Sequence, residues 1–214
     1  MANVKSQCRD KTELNPLVKT LLNLALAKIK KEGINPLLVE TYRSKERQYY
    51  LYGQGRSAAE CRKAGMSTKL AQQYARSGSK ITWTLNSIHI ERKAVDLIRQ
   101  RKNGKGVMTA VWNSADTETK RIIKIMESYG FEAGANWKTC PDSPHFQIKG
   151  NFKKHFYMNH TTTYVTKMIQ RALKDKGYEL LTDGDWGSKT IQALNSWRKK
   201  QGWSKNGKIG AAGL

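Results

Sequence analysis

Two histidines and two aspartates in the middle of the chain have the residue types of a hydrolytic metal site. His89 and Asp96 are seven residues apart, and His145 follows Asp142 by three residues. Two imidazole nitrogens and one carboxylate oxygen suffice for a catalytic zinc, which leaves its fourth position to water. A further carboxylate nearby would serve as the base for that water. These residue types permit a zinc hydrolase, although such a set also arises by chance in a chain of this length.

The spacing also constrains the elements that position these residues. In a straight strand at ~3.3 Å per residue, His89 and Asp96 would be about 23 Å apart, too far to share an ion. The chain must therefore reverse between them, and the charged run 91–93 suits an exposed turn. A second turn before His145 would hold Asp142 beside it without making Asp142 a ligand.

Hydrophobic periodicity predicts an α+β fold. Apolar residues at helical spacing over 13–31 predict an amphipathic helix that ends near Gly33. Short segments rich in β-branched and aromatic residues predict strands. The predicted strands are 37–41, 81–84, 94–98 and 145–148, and the other predicted helices are 44–53, 57–78 and 116–130.

A change in composition after Gly150 divides the chain. The polar stretch that follows is of the kind that joins domains. We expect a first domain at 1–155, a linker at 156–162 and a second domain at 163–214. Apolar helix faces on both sides of a Gly/Asp-rich loop predict that the second domain is a small helix–loop–helix module.

Four sequence blocks resemble the M15 family of zinc peptidases. They are Thr41-Tyr42-Arg43-Ser44 with Gln48 and 51–56, then Ser87-x-His89, then Ala94-x-Asp96, then Trp137 with Asp142-x-x-His145-Phe146. The family includes D-alanyl-D-alanine carboxypeptidases and dipeptidases. Within it, the chain is most similar to the L-alanyl-D-glutamate endopeptidases found among bacteriophage endolysins. The resemblance implies a small antiparallel-sheet peptidase domain of the D-Ala-D-Ala peptidase type.

The resemblance also implies a role for each matching residue. His89, Asp96 and His145 would be the zinc ligands, Asp142 the general base, and Arg43 the group that stabilises the oxyanion. Ser87 and Gln48 match positions that line the substrate cleft of the family. The ligand types alone would also suit ferrous iron, but the base and the arginine favour hydrolysis with Zn²⁺.

One departure from the family pattern falls between the first two ligands. The family has glycine where this chain has Arg92. If that position requires a left-handed backbone, a residue other than glycine costs roughly 1–2 kcal/mol. The turn could therefore have a different shape here.

The second domain resembles a peptidoglycan-binding module. Its motif D-G-x-[FW]-G-x-x-T is matched by residues 183–190. Aspartate and glycine in such a loop serve a tight turn with hydrogen bonds from side chain to backbone, and Trp186 is expected to be a core anchor. We assign binding to the module as a whole rather than to named residues.

The charge balance suits a polyanionic partner. Lys and Arg number 39 against 17 Asp and Glu, a formal net charge of +22. This would raise the encounter rate with stem-peptide carboxylates or envelope phosphates, and equally with nucleic acid. No helix-turn-helix, RNA-recognition or zinc-finger pattern supports specific nucleic-acid binding.

The sequence therefore predicts a monomeric endolysin that hydrolyses the L-alanyl-D-glutamate bond of peptidoglycan by zinc-activated water. The alternatives are a D-alanyl-D-alanine carboxypeptidase and a catalytically inactive wall-binding protein. With no apolar run of the ~20 residues that a bilayer requires and no signal peptide, we expect no membrane insertion. Synthesis in the host cytoplasm would then be followed by release through the inner membrane to the wall.

Overall fold

An antiparallel sheet organises the first two thirds of the chain. The computed structural model describes residues 4–148, 163–202 and 205. The strands are β1 (Asn35–Glu40), β2 (Ala94–Lys102), β3 (Met108–Val111), β4 (Glu132–Ala133) and β5 (His145–Gln147). They pair in the order β1-β2-β5-β4, with β3 also on β2, and each pairing is antiparallel.

The described chain also contains seven α-helices. They are α1 (Pro16–Lys31), α2 (Lys45–Gly53), α3 (Ala58–Lys63), α4 (Thr68–Tyr74), α5 (Thr117–Ser128), α6 (Thr163–Asp175) and α7 (Ser188–Lys200). Single 3₁₀ turns occur at Lys11–Glu13 and Gly134–Asn136. The predicted α+β class, an antiparallel sheet followed by a helical segment, is confirmed.

The main core lies between the sheet and the helices α1 and α5. Helix α1 begins at Pro16 because the Asn15 side chain accepts a hydrogen bond from the backbone N–H of Leu17. Its apolar face joins Val95 and Leu97 of β2 in one buried cluster. Since side chains alternate along a strand, the residue between them, Asp96, faces away from this core.

Two predicted elements were wrong. The segment 81–84 is not a strand, because side chains from α2 and the residues after it occupy its carbonyl groups: Gln48 donates to the Thr84 oxygen at 2.6 Å and Arg56 to the Thr82 oxygen at 2.9 Å. The predicted helix 57–78 is two helices, α3 and α4, separated where Gly65 adopts a φ of +105°.

The helical segment after residue 162 is built around one buried glutamine. Gln170 of α6 donates to Asp183 Oδ1 at 2.7 Å, to the Asp185 carbonyl at 2.9 Å and to Thr190 Oγ1 at 3.0 Å, and it accepts from the Gly184 backbone at 2.8 Å. The motif loop is therefore held by side-chain hydrogen bonds, as predicted. Trp186 packs against the hydrophobic core, which supports its expected role as an anchor.

This helical segment shares a core with the first part of the chain. Ile169, Leu173 and Leu194 belong to the same buried cluster as α1 and α5. The Tyr129 hydroxyl after α5 donates to a carboxylate oxygen of Asp175 at the end of α6. The predicted linker 156–162 lies outside the described residues, and the boundaries 1–155 and 163–214 stay predictions.

Candidate active site

Three side chains from distant parts of the sequence converge on one point. His89 Nε2 lies 3.1 Å from Asp96 Oδ1 and 3.3 Å from His145 Nδ1, and His145 Nδ1 lies 3.2 Å from Asp96 Oδ1. Two ligands that are each ~2.0–2.1 Å from a tetrahedral zinc are about 3.3 Å apart. The three atoms thus have the mutual spacing of zinc ligands, and the structure brings together the residues that the sequence grouped as such.

Sheet register places two of these residues. Asp96 of β2 pairs directly with His145 of β5 on one side and with Glu40 of β1 on the other. Directly opposed residues of antiparallel strands share a face, which explains why the side chains of Glu40, Asp96 and His145 lie side by side. His89 comes from a turn before β2, where Arg92 N donates to the His89 carbonyl at 3.1 Å. The predicted chain reversal is confirmed.

The outer nitrogen of each histidine ring has its own acceptor. His89 Nδ1 is 2.6 Å from the Thr41 carbonyl oxygen, and His145 Nε2 is 3.1 Å from Gln147 Oε1. When the rings are neutral, these contacts place each ring proton on the nitrogen that points away from the cluster, so His89 Nε2 and His145 Nδ1 each present a lone pair. With the Asp96 carboxylate, three acceptors then face one another. A cation at this point removes their repulsion, so the residues present fit a divalent metal.

The charge of the cluster follows from its burial and its neighbours. Burial raises the pKa of Asp96, but the positive charge and the hydrogen bonds that His89 and His145 supply when their rings are protonated outweigh burial and hold that pKa well below its usual range. Burial lowers the pKa of His145, but the hydrogen bond and charge of Asp96 outweigh it and raise that pKa overall. Asp96 is therefore ionised at neutral pH, as a metal ligand must be.

His89 and His145 line a pocket of about 450 Å³. Ser87, predicted to contact substrate, is in the pocket wall, and its Oγ accepts from the backbone N–H of His89 at 3.3 Å. Trp137 forms another part of the wall, with its ring centroid 5.1 Å from that of His145. The Trp137 indole N–H donates to Glu132 Oε1 at 2.6 Å, which fixes the ring.

Asp142 lies in the same pocket, on the turn that precedes β5. Its backbone N–H donates to the Gly134 carbonyl at 3.0 Å, and its carbonyl accepts from the His145 N–H at 3.2 Å. A Cβ at Gly134 would be 2.5 Å from the Asp142 carbonyl oxygen, so only glycine permits this approach. The residue is exposed, yet the pocket walls shield its carboxyl: this desolvation and the charge of Asp96 raise the pKa of Asp142.

Arg43 lines the pocket and is held by three partners. Its Nη2 donates to Glu40 Oε2 at 2.6 Å and to Asp96 Oδ2 at 3.4 Å, and its Nη1 donates to Gln48 Oε1 at 3.0 Å. Glu40 is buried and also accepts from Arg47 Nε at 2.5 Å. Glu40 thus fixes the guanidinium at the edge of the metal cluster.

Gln48 lies behind the pocket rather than in its lining. The residue has no exposed surface. Its amide oxygen accepts from Arg43, and its amide nitrogen donates to the Thr84 carbonyl at 2.6 Å and to Thr82 Oγ1 at 3.3 Å. Substrate cannot reach an amide that is buried and occupied in this way, so we reassign Gln48 from substrate contact to the positioning of Arg43 and of the segment 81–84.

Replacing Gln48 by leucine is expected to lower kcat by about tenfold or more, because Arg43, the group predicted to stabilise the oxyanion, would lose its position. Metal content should not change. The matched control is Gln54→Leu, since Gln54 directly follows α2 as its C-cap and donates to the Tyr50 carbonyl at 2.7 Å, away from Arg43. Steady-state kinetics with metal analysis of each variant would check this, and a Gln48→Leu variant with the kcat of the control would refute the reassignment.

Three residues of the site had no role assigned from the sequence. Gln147 is two positions after His145 on a strand, so the shared face could have been anticipated. Glu40 could have been noticed in the sequence, because it is a carboxylate at the end of an apolar strand. Thr41 acts through its backbone carbonyl, and no side-chain pattern reveals such a role.

Arg92, the departure from the family pattern, has a left-handed backbone with a φ of 62°. Its guanidinium forms an ion pair with Glu13, donates to the Glu13 carbonyl at 2.8 Å and stacks 4.1 Å from the centroid of the Tyr42 ring. Its own carbonyl accepts from Asn15 N at 2.9 Å. These contacts help to offset the cost of the left-handed backbone at Arg92.

Arg92→Ala is expected to destabilise the protein more than Arg92→Gly, by about 1 kcal/mol. Both variants lose the contacts with Glu13 and Tyr42, but alanine retains the strain of a positive φ and glycine does not. Chemical denaturation of the three proteins would measure the difference. Equal stability of the two variants would show that backbone strain at this position is negligible.

The chain is similar to known proteins over the residues that form this site. Residues 80–148 match a peptidase M15 family described as D-alanyl-D-alanine carboxypeptidase, and residues 164–206 match a family described as a predicted peptidoglycan domain. The chain is 28% identical over 143 residues, 65% of this chain and 76% of the relative, to the peptidoglycan L-alanyl-D-glutamate endopeptidase CwlK of Bacillus subtilis (strain 168). The crystal structure of the Serratia marcescens L-Ala D-Glu endopeptidase ChiX aligns with 70% of this chain and 91% of that chain, at 23% identity and a TM-score of 0.42.

The chain is thus a metallopeptidase by class. More specifically, it contains a peptidase domain of family M15 followed by a peptidoglycan-binding domain.

Proposed function

We propose that the protein is a zinc-dependent endopeptidase that cuts the L-alanyl-D-glutamate bond of peptidoglycan stem peptides. The observation that carries the proposal is the convergence of His89, Asp96 and His145 in a pocket that also contains Asp142 and Arg43. The similarity to CwlK supports this choice of bond.

In this proposal His89, Asp96 and His145 hold the zinc, which when bound supplies an acidified water and a Lewis acid. Asp142 takes the proton of the attacking water and returns it to the leaving amine. Its raised pKa suits this exchange, since a base and acid works best near the operating pH.

Arg43 stabilises the negative charge that develops on the scissile carbonyl oxygen. Within the described residues its Nε and Nη2 donate to carboxylates and its Nη1 to Gln48. A second N–H on Nη1 is then left for the oxyanion. Because Glu40 and Gln48 fix the guanidinium before substrate arrives, little reorganisation is needed in the transition state.

The second domain and the net charge would deliver the enzyme to its polymer. We propose that residues 163–214 bind the wall as one module, while a net charge of +22 attracts stem-peptide carboxylates and envelope phosphates. Within the described part of the chain, no helix has the length and apolar character to cross a membrane.

We also propose an endolysin role, on the resemblance of the sequence blocks to those of phage endolysins. In this role the protein is made in the host cytoplasm and reaches the wall once the inner membrane is breached. Addition of the protein to intact and to chloroform-permeabilised cells tests it. Lysis only after permeabilisation is expected, and no lysis of either sample would oppose it.

The description of the matching family favours a second candidate, a D-alanyl-D-alanine carboxypeptidase. Defined muropeptides separate the two activities. A tripeptide stem has no D-alanyl-D-alanine bond, so of these two activities only the L-alanyl-D-glutamate endopeptidase can cut it. We expect tripeptide and pentapeptide stems to be cut after L-alanine, as read by mass spectrometry. Release of D-alanine from pentapeptide, with intact tripeptide, would favour the carboxypeptidase.

A further inference from the structure

A basic β-hairpin, residues 99–112, projects from the sheet and has no part in the site described above. It consists of the second half of β2, a tight turn at 103–106 and β3, which pairs only with β2 in the described chain. From Asp96 to Lys102 the strand rises ~3.3 Å per residue, about 20 Å in all. The hairpin tip is therefore remote from the metal cluster.

The basic hairpin exposes large apolar side chains. Trp112 is 60%, Val107 57% and Met108 36% exposed, half of the exposed large hydrophobic residues in the described chain. Met108 and Ala110 share a face with Lys102 and Gln100, their cross-strand neighbours. An exposed apolar patch that is rimmed by polar groups marks an interaction surface.

The same hairpin has cations and no anion. Between Asp96 and Asp116 the sequence contains no acidic residue. Arg101, Lys102 and Lys105 are exposed, and none forms an ion pair within the residues that the structure describes. These side chains are therefore available to an external anion.

The hairpin is held rigidly at both ends. At the tip, Asn103 Oδ1 accepts from the backbone of Lys105 at 2.9 Å and of Val107 at 3.0 Å. At the base, buried Arg99 donates to both oxygens of Asp116, each at 2.6 Å. Binding through the hairpin would require little ordering of the backbone, which favours affinity.

We propose that the basic hairpin binds the surface of lipid membranes with anionic phosphate headgroups. Trp112, Met108 and Val107 would lie at the boundary of headgroups and acyl chains, where tryptophan is enriched. The ammonium and guanidinium groups would contact phosphates while their alkyl stems cover apolar surface. A soluble polyanion would contact the cations but not the apolar side chains. The presence of both on one hairpin therefore favours a lipid surface.

Sedimentation of the full chain with vesicles tests this proposal. Vesicles of phosphatidylglycerol and phosphatidylcholine are compared with pure phosphatidylcholine. One variant removes the charges (Arg101→Gln, Lys102→Gln, Lys105→Gln), and another removes the apolar patch (Val107→Ser, Met108→Ser, Trp112→Ser). The matched control removes equal charge elsewhere (Lys30→Gln, Lys69→Gln, Lys124→Gln). Thermal unfolding verifies that each variant is folded.

We expect the wild type to bind only the anionic vesicles. Each cation removed should lower the affinity for anionic vesicles about fivefold, so the charge variant should bind about 100-fold more weakly than the wild type at low salt. The control should stay close to wild type. The apolar variant should bind at low salt but be released by 0.5 M salt, which the wild type resists in part.

Three results would overturn the proposal. The first is binding by the charge variant equal to that of the control. The second is equal binding of wild type to neutral and anionic vesicles. The third is an apolar variant that binds the anionic vesicles as the wild type does at every salt concentration, while poly(glycerol phosphate) displaces both proteins from the vesicles. The partner would then be a soluble polyanion.

Discussion

Asp142→Asn is expected to lower kcat on peptidoglycan by about 10²–10⁴-fold, because asparagine cannot accept the proton of the attacking water. The substitution keeps the side-chain shape. The turn geometry should also survive, since Asp142 holds it through its backbone contacts with Gly134 and His145. Asp142 is not among the three clustered ligands, so metal content should stay at the wild-type level. Kinetics with defined muropeptides and metal analysis of the same sample measure both quantities.

Asp185→Asn is the matched control for this prediction. Asp185 is exposed and lies outside the pocket, so its variant should retain the wild-type kcat on soluble muropeptides, which do not depend on wall binding. Retained activity in Asp142→Asn would remove Asp142 as the base. Loss of activity together with loss of metal would instead assign Asp142 to metal binding.

His145→Ala is expected to abolish activity and to release the metal. The variant loses one of three ligand atoms that lie 3.1–3.3 Å apart, and two protein ligands do not make a catalytic zinc site. Gln147→Ala should have a smaller effect, because it leaves the ligand and removes only the acceptor of its outer ring proton. Such changes cost about 10–100-fold in metal affinity.

The chain supplies matched controls for the histidine prediction in His155 and His160, which the sequence does not group with the site. His155→Ala and His160→Ala should bind zinc as the wild type does. Titration with zinc in the presence of a competing chelator gives the affinity of each protein. A His145→Ala variant with wild-type affinity would place the metal elsewhere.

The ligand set could be grouped from sequence because its parts obey local rules. The 23 Å reach of a straight strand forced a reversal between His89 and Asp96, and the structure has a turn there. The starts of two helices could also be predicted, because the capping residues Ser44 and Asp116 mark where α2 and α5 begin.

The residues that position the site could not be predicted from the sequence, because their roles depend on contacts between distant segments. Glu40 orients Arg43 only because β1 and β2 pair in a register that puts Glu40 opposite Asp96. Gln48 was assigned to the substrate cleft by position alone, and its burial is a property of the packed structure. The segment 81–84 has the composition of a strand, but side chains took the hydrogen bonds that a neighbouring strand would have made.

The backbone at Arg92 could be predicted in part from the sequence. The glycine of the family pattern raised the question of whether this position needs a left-handed backbone, and the φ of 62° shows that it has one. How the chain tolerates arginine there required coordinates, because Glu13 and Tyr42, which stabilise the side chain, are far from it in sequence.

The most direct test of metal-dependent cleavage after L-alanine is amino-terminal analysis of purified peptidoglycan digested by the full chain. The digest is run with the protein as purified, after chelation, and after addition of zinc to the chelated protein. We expect new amino-terminal D-glutamate in the first and third digests and none in the second. Equal release of D-glutamate by the chelated protein, or no new amino terminus in any digest from protein that still sediments with the wall, would contradict this expectation.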